Sequence, residues 1–343
     1  MLRWSSKLGL AFLLLAGCLK AQDVHLSLYN QLPMLANPSM TGVFPGKMRA
    51  SVLYRNQWMQ VAPYQTYLFA FEMNVKEGIF SKSDYFATGL IGYQDAAGVM
   101  RYGNMEVRAQ VAYHKFLGTE AMSQSDIVNF SRRKQMTLLS AGFSFGVIRR
   151  GINKPEELKA PNQWDGARYS STTPIGENLT TATIFDVGAG ALFIHRLNSG
   201  LTFTIAASFY HLLGPNVSVI QNQDKIYRRI GVYGNVRSPI GDQFAIKGGA
   251  VYWLQGPHNL LNIFAIGEYA INKDVDRLTI VEGGVVGDLN LGFGPYVGLE
   301  YKFIKVGLFY QFIMGAAKGV GQHTPEVLLQ YINRTTESSA PRM

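Results

Sequence analysis

The sequence is built from runs in which apolar residues alternate with polar or small ones at a period of two. In the run 66–75, Tyr, Phe, Phe, Met and Val alternate with Thr, Leu, Ala, Glu and Asn. The runs 105–114, 201–210, 294–303 and 304–312 alternate in the same way. Because successive side chains of a β-strand point to opposite faces, this pattern predicts strands that each have one apolar face.

Each run is about nine to eleven residues long, which is the length of a tilted strand that spans a membrane. Turn-forming sequence separates the runs, as in NVRSPIGD at 235–242 and INKDVD at 271–276. Similar runs lie near 48–61, 84–94, 137–149, 181–195, 226–236, 243–254, 259–271, 277–287 and 325–332. The chain therefore contains about fourteen predicted strands, two more or fewer.

These strands predict an all-β fold, a transmembrane antiparallel β-barrel, with a secreted β-sandwich as the alternative. Strands of a sandwich are usually about five or six residues long, which is shorter than the runs seen here. The second face of each run mixes Gly, Ser, Ala and Tyr with charged residues, as a crowded barrel interior would. A closed barrel also pairs every backbone polar group within the bilayer.

The N-terminus reads as a secretory signal peptide over residues 1–21, with basic residues before an apolar core. Cleavage after Ala21 leaves Gln22 as the first residue, whereas the sequence LAGC at 15–18 would instead leave a lipidated Cys18. After the leader we expect an N-terminal segment at 22–47 that packs in or against the barrel. The barrel itself is predicted at 48–334, followed by a C-terminal tail at 335–343.

Motifs of catalysis and cofactor binding are absent from the sequence. It has no Gly-rich phosphate loop, no HExxH, no CxxC and no Gly-x-Ser-x-Gly. Its six histidines are not paired at the spacing of metal ligands. We therefore expect no enzyme, no cofactor and no metal. The formal net charge is +9, but the sequence has no long basic run. Nucleic acid is a poor fit for an exported chain, and we do not expect it as a partner.

Several motifs occur along the chain in a characteristic order. The stretch 22–58 reads QDVHLSLYNQLPMLANPSMTGVFPGKMRASVLYRNQW. It resembles the start of the PorP/SprF family of Bacteroidota, which has a Gln-Asp-rich segment and an NPA-x-x-G turn. Here that turn runs from Asn37 to Gly42 as NPSMTG, with Ser39 where Ala is common. Later segments follow as VAYHKFLG at 111–118, PNQWDG at 161–166, GENL at 176–179, FDVGAGALF at 185–193, GVYGNVRSP at 231–239 and YWLQGPHNLLNIFAIGEY at 252–269. The resemblance also favours Gln22 as the mature N-terminus.

The resemblance implies an integral protein of the cell outer membrane that belongs to the type IX secretion system, which in several species is coupled to gliding motility. Its implied role is export or surface attachment of cargo proteins that carry C-terminal sorting domains. Its implied partners are outer-membrane lipid, other type IX components, a peptidoglycan-binding OmpA-like lipoprotein and the periplasmic ring. Two alternatives stay open: a transporter of a small or hydrophobic solute, and a structural anchor between the membrane and a cell-wall partner.

Candidate residues for partner binding or loop ordering come from the turn and from a repeated Asn-Gln-Trp unit. They are Asn37, Pro38, Gly42, Arg55, Asn56, Gln57, Trp58, Asn162, Gln163, Trp164, Asp165 and Gly166. Asn and Asp cap turns, Gly supplies a positive φ, and Trp anchors a surface through one ring. The alternative is that the two Asn-Gln-Trp units lie at the margins of two unrelated turns and share no role. The longest polar connections are 118–136 and 150–180, and long loops of such barrels usually lie on one side and carry contacts.

Overall fold

A closed antiparallel barrel forms the body of the protein. The computed structural model describes residues 23–58, 63–77, 80, 84–117, 135–154, 181–218, 225–273, 277–314 and 323–334. Within these ranges, 14 strands pair in sequence order, and β1 closes the barrel against β14 from Met48↔Asn333 to Arg55↔Glu326. The predicted all-β antiparallel barrel of about fourteen strands is confirmed.

The strands follow the predicted runs one by one. They are β1 Met48–Gln57, β2 Tyr64–Glu77, β3 Asp84–Ala97, β4 Tyr102–Leu117, β5 Met136–Ile152, β6 Ala182–Arg196, β7 Thr202–Tyr210, β8 Arg229–Ile240, β9 Phe244–Gln255, β10 His258–Asn272, β11 Thr279–Asp288, β12 Gly292–Tyr301, β13 Ile304–Ile313 and β14 His323–Asn333. Strand β5 has 17 residues and is longer than predicted. It continues through Arg149 and Arg150 because backbone pairing outside the apolar band needs no apolar side chain.

The two faces of the wall separate as the alternation predicts. In β13, Ile304, Val306 and Leu308 are exposed on the outer face. Lys305 and Phe309, which alternate with them, are buried on the inner face. An apolar outer face and a mixed inner face are what a barrel presents when lipid lies outside it.

The two ends of the barrel differ in the connections they carry. We call the end where β1 begins and β14 ends the terminal mouth, and the opposite end the far mouth. β4 ends and β5 begins at the terminal mouth, whereas β5 ends, β6 begins, β7 ends and β8 begins at the far mouth. The two longest polar connections therefore leave from opposite ends of β5, and most of their residues, 118–134 and 155–180, lie outside the described residues.

The interior of the barrel is occupied by residues 23–47, which we call the inner segment. It contains a helix α1 at Pro33–Ala36 and a 3₁₀ helix at Pro38–Met40. Its apolar side chains, including Leu28, Met34 and Leu35, share one buried cluster with inward-facing wall residues such as Leu138 and Trp253. The core of this protein therefore lies inside the barrel. None of the helices in the described ranges has the length and apolar content needed to cross a membrane.

Placing a charge on the outer wall tests whether that wall faces hydrocarbon. Val297 lies mid-strand in β12 with 57% of its surface exposed. We expect Val297→Arg to lower the free energy of unfolding by about 2–4 kcal/mol, the cost of Arg near the bilayer midplane. The measurement is a urea titration of the protein folded in lipid vesicles, with Val297→Leu as the control. Equal stability of all three proteins would mean that this face is in water.

Candidate functional site

The turn Asn37–Gly42 is fixed by the side chain of its first residue. Asn37 Oδ1 accepts hydrogen bonds from the Ser39 backbone N–H at 2.9 Å and from Ser39 Oγ at 2.6 Å. Pro38 stands at the first position of the 3₁₀ helix, where its missing N–H and fixed φ cost nothing. Asn37 Nδ2 donates to the carbonyl oxygens of Ala191 at 3.3 Å and Ala207 at 2.7 Å. One side chain thus both folds the turn and ties it to β6 and β7.

Two glycines of the wall make room for this turn. Gly142 of β5 and Gly190 of β6 lie directly opposite each other in the sheet. A Cβ atom at Gly190 would overlap Asn37 Oδ1, and one at Gly142 would overlap the backbone of Pro38 and Ser39. The absence of side chains at this pair lets the turn lie against the bare backbone of the wall.

The end of the turn is bound by polar groups of β2 and β4. The Thr41 carbonyl oxygen lies 2.8 Å from His114 Nε2, and Thr41 Oγ1 donates to Gln110 Oε1 at 2.8 Å. The Gly42 N–H donates to Glu72 Oε2 at 2.6 Å. Gly42 has a φ of +84°, a conformation that glycine adopts without steric cost. The resemblance therefore singled out residues that fix the inner segment to the wall.

A buried ion pair holds the first part of the inner segment, at Ser27 and Leu28. Arg55 of β1 pairs with Glu326 of β14, and neither side chain is exposed. Glu326 also accepts from the backbone N–H groups of Ser27 at 2.8 Å and Leu28 at 3.2 Å. Arg55 donates to Ser27 Oγ at 2.8 Å and to Gln311 Oε1 at 3.1 Å. Since a buried charge is costly unless paired and hydrogen-bonded, these contacts stabilise one position of the segment.

The first Asn-Gln-Trp unit divides between the interior and the far mouth. Arg55 and Gln57 are buried, while Asn56 is half-buried on the alternate face. Trp58 lies just past β1 with a φ of 51°, and its ring centroid is 6.0 Å from that of Tyr64. The second unit and its neighbours, Asn162, Gln163, Trp164, Asp165 and Gly166, lie outside the described residues.

Sequence reasoning missed a polar contact around Gln31. Lys305 Nζ donates to Gln31 Oε1 at 2.8 Å and to Glu282 Oε1 at 2.7 Å. Gln330 Nε2 donates to the Gln31 carbonyl oxygen at 3.1 Å. The only signal in the sequence was a charged residue on the inner face of each of two runs, Glu282 and Lys305, which indicates burial without identifying the partner.

A second missed group, which we call the Asp23 cluster, binds the start of the inner segment at the far mouth. Asp23 Oδ2 lies 2.8 Å from His211 Nε2 and 2.6 Å from Arg229 Nη1. His211 Nδ1 lies 3.1 Å from Asp186 Oδ1. His211 and Arg229 stand at the ends of β7 and β8, which the sequence shows only as unremarkable strand margins.

In the Asp23 cluster, the attraction between opposite charges outweighs the cost of burying the charged groups. Burial opposes the protonated imidazole, but Asp23 and Asp186 together raise the pKa of His211 to about 9. Burial likewise opposes ionisation of Asp23, but Arg229 and His211 hold the pKa of its carboxyl well below its usual range. Asp23 and His211 are therefore both charged near neutral pH, and each stabilises the other.

The chemistry available in this interior is binding and positioning. Among the described residues, no group of three or more His, Cys, Asp or Glu side chains is arranged to hold a metal ion. Among the described residues, polar contacts fix the inner segment to ten of the strands, β1, β2, β4, β6, β7, β8, β9, β11, β13 and β14.

Comparison with known proteins connects this barrel to protein secretion. Residues 18–331 match the family model described as type IX secretion system membrane protein PorP/SprF. No curated protein matches the sequence. Among solved structures, the chain is similar to CdiB from Escherichia coli, with a TM-score of 0.47 and 8% identity over 84% of this chain and 63% of CdiB. It is also similar to the Pseudomonas putida toluene transporter TodX, with a TM-score of 0.45 and 10% identity over 88% of this chain and 93% of TodX.

Adding a methyl group at one glycine of the pair tests whether the turn packs against these glycines. We expect Gly190→Ala to cost about 1–3 kcal/mol, because its Cβ overlaps Asn37 in a tightly packed interior. Amide hydrogen exchange of residues 37–42 should become faster. The matched control is Gly283→Ala in β11, where an added Cβ meets no atom within 4 Å. Identical exchange in both variants would show that the turn does not rest on Gly190.

The raised pKa of His211 predicts a pH-dependent stability. A free histidine has a pKa of about 6.5, so the stabilisation is fully present below about pH 6.5. It is lost as pH rises through the folded pKa of about 9. The apparent unfolding temperature in detergent should fall across this window, and His211→Asn should flatten the fall. An unchanged slope in the variant would assign the titration to another group.

Proposed function

This chain belongs to the PorP/SprF family of type IX secretion system membrane proteins, and we propose that it is a non-enzymatic outer-membrane barrel of that system. In this proposal it binds other secretion components and supports export or surface attachment of cargo proteins with C-terminal sorting domains. The exposed apolar wall and the predicted signal peptide support integration into the outer membrane.

One observation carries the proposal of a binding role: the interior is occupied by the chain's own inner segment. Leu26, Leu28 and Met34 have no measurable exposure, and Ser27 and Thr41 are buried with them. A barrel whose interior is filled in this way offers its mouths and loops for contact. We therefore place partner binding at the mouths.

The far mouth is the proposed surface for cargo. Outer-membrane barrels carry their longer loops on the extracellular side. Two long connections, from Ile152 to Ala182 and from Tyr210 to Arg229, begin and end at the far mouth, whereas one, from Leu117 to Met136, begins and ends at the terminal mouth. The terminal mouth would then face the periplasm. That mouth is the proposed contact for the periplasmic ring and a peptidoglycan-binding OmpA-like lipoprotein.

Deletion of the gene separates this function from its two rivals. We expect loss of particular surface proteins from the medium and cell surface, with normal uptake of nutrients, and recovery on complementation. Failure of uptake with intact secretion would instead identify a solute transporter. Detachment of the envelope without either defect would identify a structural anchor.

The second Asn-Gln-Trp unit provides a residue-level test of partner binding. We propose that Trp164 docks a partner through its indole ring, as buried Trp side chains often do at interfaces. Trp164→Ala should reduce the amount of cargo protein that co-purifies in detergent, while leaving the heat-dependent gel shift of the folded barrel intact. Lys302→Ala, in the turn between β12 and β13 at the terminal mouth, is the control. Unchanged co-purification with Trp164→Ala would refute the docking role.

A further inference from the structure

The inner segment crosses the whole interior. At one end, the Lys47 N–H donates to the Asn333 carbonyl oxygen at 2.8 Å, at the terminal mouth. At the other end, Asp23 contacts Arg229 and Gln255, the first residue of β8 and the last residue of β9, at the far mouth. A single stretch of chain therefore occupies the path between the two mouths.

The two ends of the inner segment are held by different means. The end near the terminal mouth continues covalently into β1, and its turn rests on the Gly142–Gly190 pair. The end at the far mouth is held by ionic and polar contacts: the Asp23 cluster holds its first residue, and Glu326 holds the backbone N–H groups of Ser27 and Leu28 next to it. Asp23 Oδ2 contacts both Arg229 and His211, and its backbone N–H donates to Gln255 Oε1 at 3.3 Å. Ionic contacts between side chains can open without breaking the sheet, whereas the covalent end cannot leave.

Aromatic rings support the far-mouth end of this arrangement. The Arg229 guanidinium lies 4.3 Å from the ring centroid of Trp253 and 4.7 Å from that of Tyr210. Stacking on two rings holds the cation in place independently of Asp23. The receptor for Asp23 is therefore built into the wall and persists when the carboxylate leaves.

The wall around residues 23–36 carries buried ion pairs and polar groups as well as apolar side chains. It carries paired charges of both signs, with Arg55 beside Glu326 and Lys305 beside Glu282. The side chain of Asn262 is fully buried, and neither its Nδ2 nor its Oδ1 has a hydrogen-bond partner among the described residues. Polar groups in such positions are satisfied by water.

We propose that the Asp23 cluster is a latch, and that its release withdraws residues 23–36 from the interior and opens a water-filled, ion-conducting path between the two mouths. This gated conduction goes beyond the proposed secretion role and does not depend on it. The turn Asn37–Gly42 stays seated on its glycines and acts as the hinge. No covalent change is involved, so the latch is reversible.

Electrical recording from single barrels tests the latch. The full-length protein is purified in detergent and inserted into planar bilayers in potassium chloride. The wild type should be closed for most of the recording. Asp23→Asn keeps the shape of the side chain but removes the charge that both Arg229 and His211 contact, and it should raise the open probability about tenfold or more. Asp242→Asn, an exposed carboxylate at the terminal mouth, is the matched control and should behave as the wild type.

If Asp23→Asn folds poorly, a reversible cross-link between the Asp23 and Gln255 positions provides a second test of the latch. A double variant, Asp23→Cys with Gln255→Cys, places two thiols within reach of a short bis-thiol reagent with a reducible spacer, since the present side chains meet at 3.4 Å through the longer Gln255 amide. The cross-linked barrel should stay closed, and a reductant that cleaves the spacer should raise the open probability of the same folded preparation. If Asp23→Asn is folded and conducts as the wild type, or if reduction of the double variant changes nothing, the latch is overturned.

Discussion

Pairing of every backbone polar group within a bilayer is the constraint on which this structure depends. A closed barrel satisfies it with strands alone, and the period-two alternation then decides which side chains face lipid. The exposed apolar positions of β13 and the buried Lys305 between them follow from this single requirement. The same closure creates an interior that must be filled by something.

The inner segment fills the interior, and ion pairs hold it there as much as apolar packing does. Buried ions are stable only when paired and hydrogen-bonded, which limits the segment to a few positions. Glu326 meets this condition by accepting from Arg55 and from two backbone N–H groups of the inner segment. Asp23 meets it through Arg229 and His211. The interior therefore specifies one arrangement of the segment.

The fold followed from the sequence, because strand alternation is a local pattern. Run 304–312 already separated Lys305 from Leu308, and the structure keeps that separation. The family also followed from ordered motifs and is confirmed. The contacts of the site were harder to predict from the sequence, because they join residues that are far apart in the chain. Asp23 and His211 are separated by 188 positions, and no local pattern indicates that they meet. Strand lengths were underestimated where polar residues continue the pairing, as at Arg150.

Occupation of the interior is the central claim, and hydrogen exchange of the folded protein in detergent tests it most directly. Peptides that cover residues 24–44 should exchange as slowly as those of the barrel strands, since their amides are buried and many donate hydrogen bonds to the segment's own carbonyl groups or to carboxylates of the wall. Complete exchange of 24–44 within seconds, while strands such as β13 stay protected, would contradict the account. The inner segment would then be a free tail and the barrel would be open.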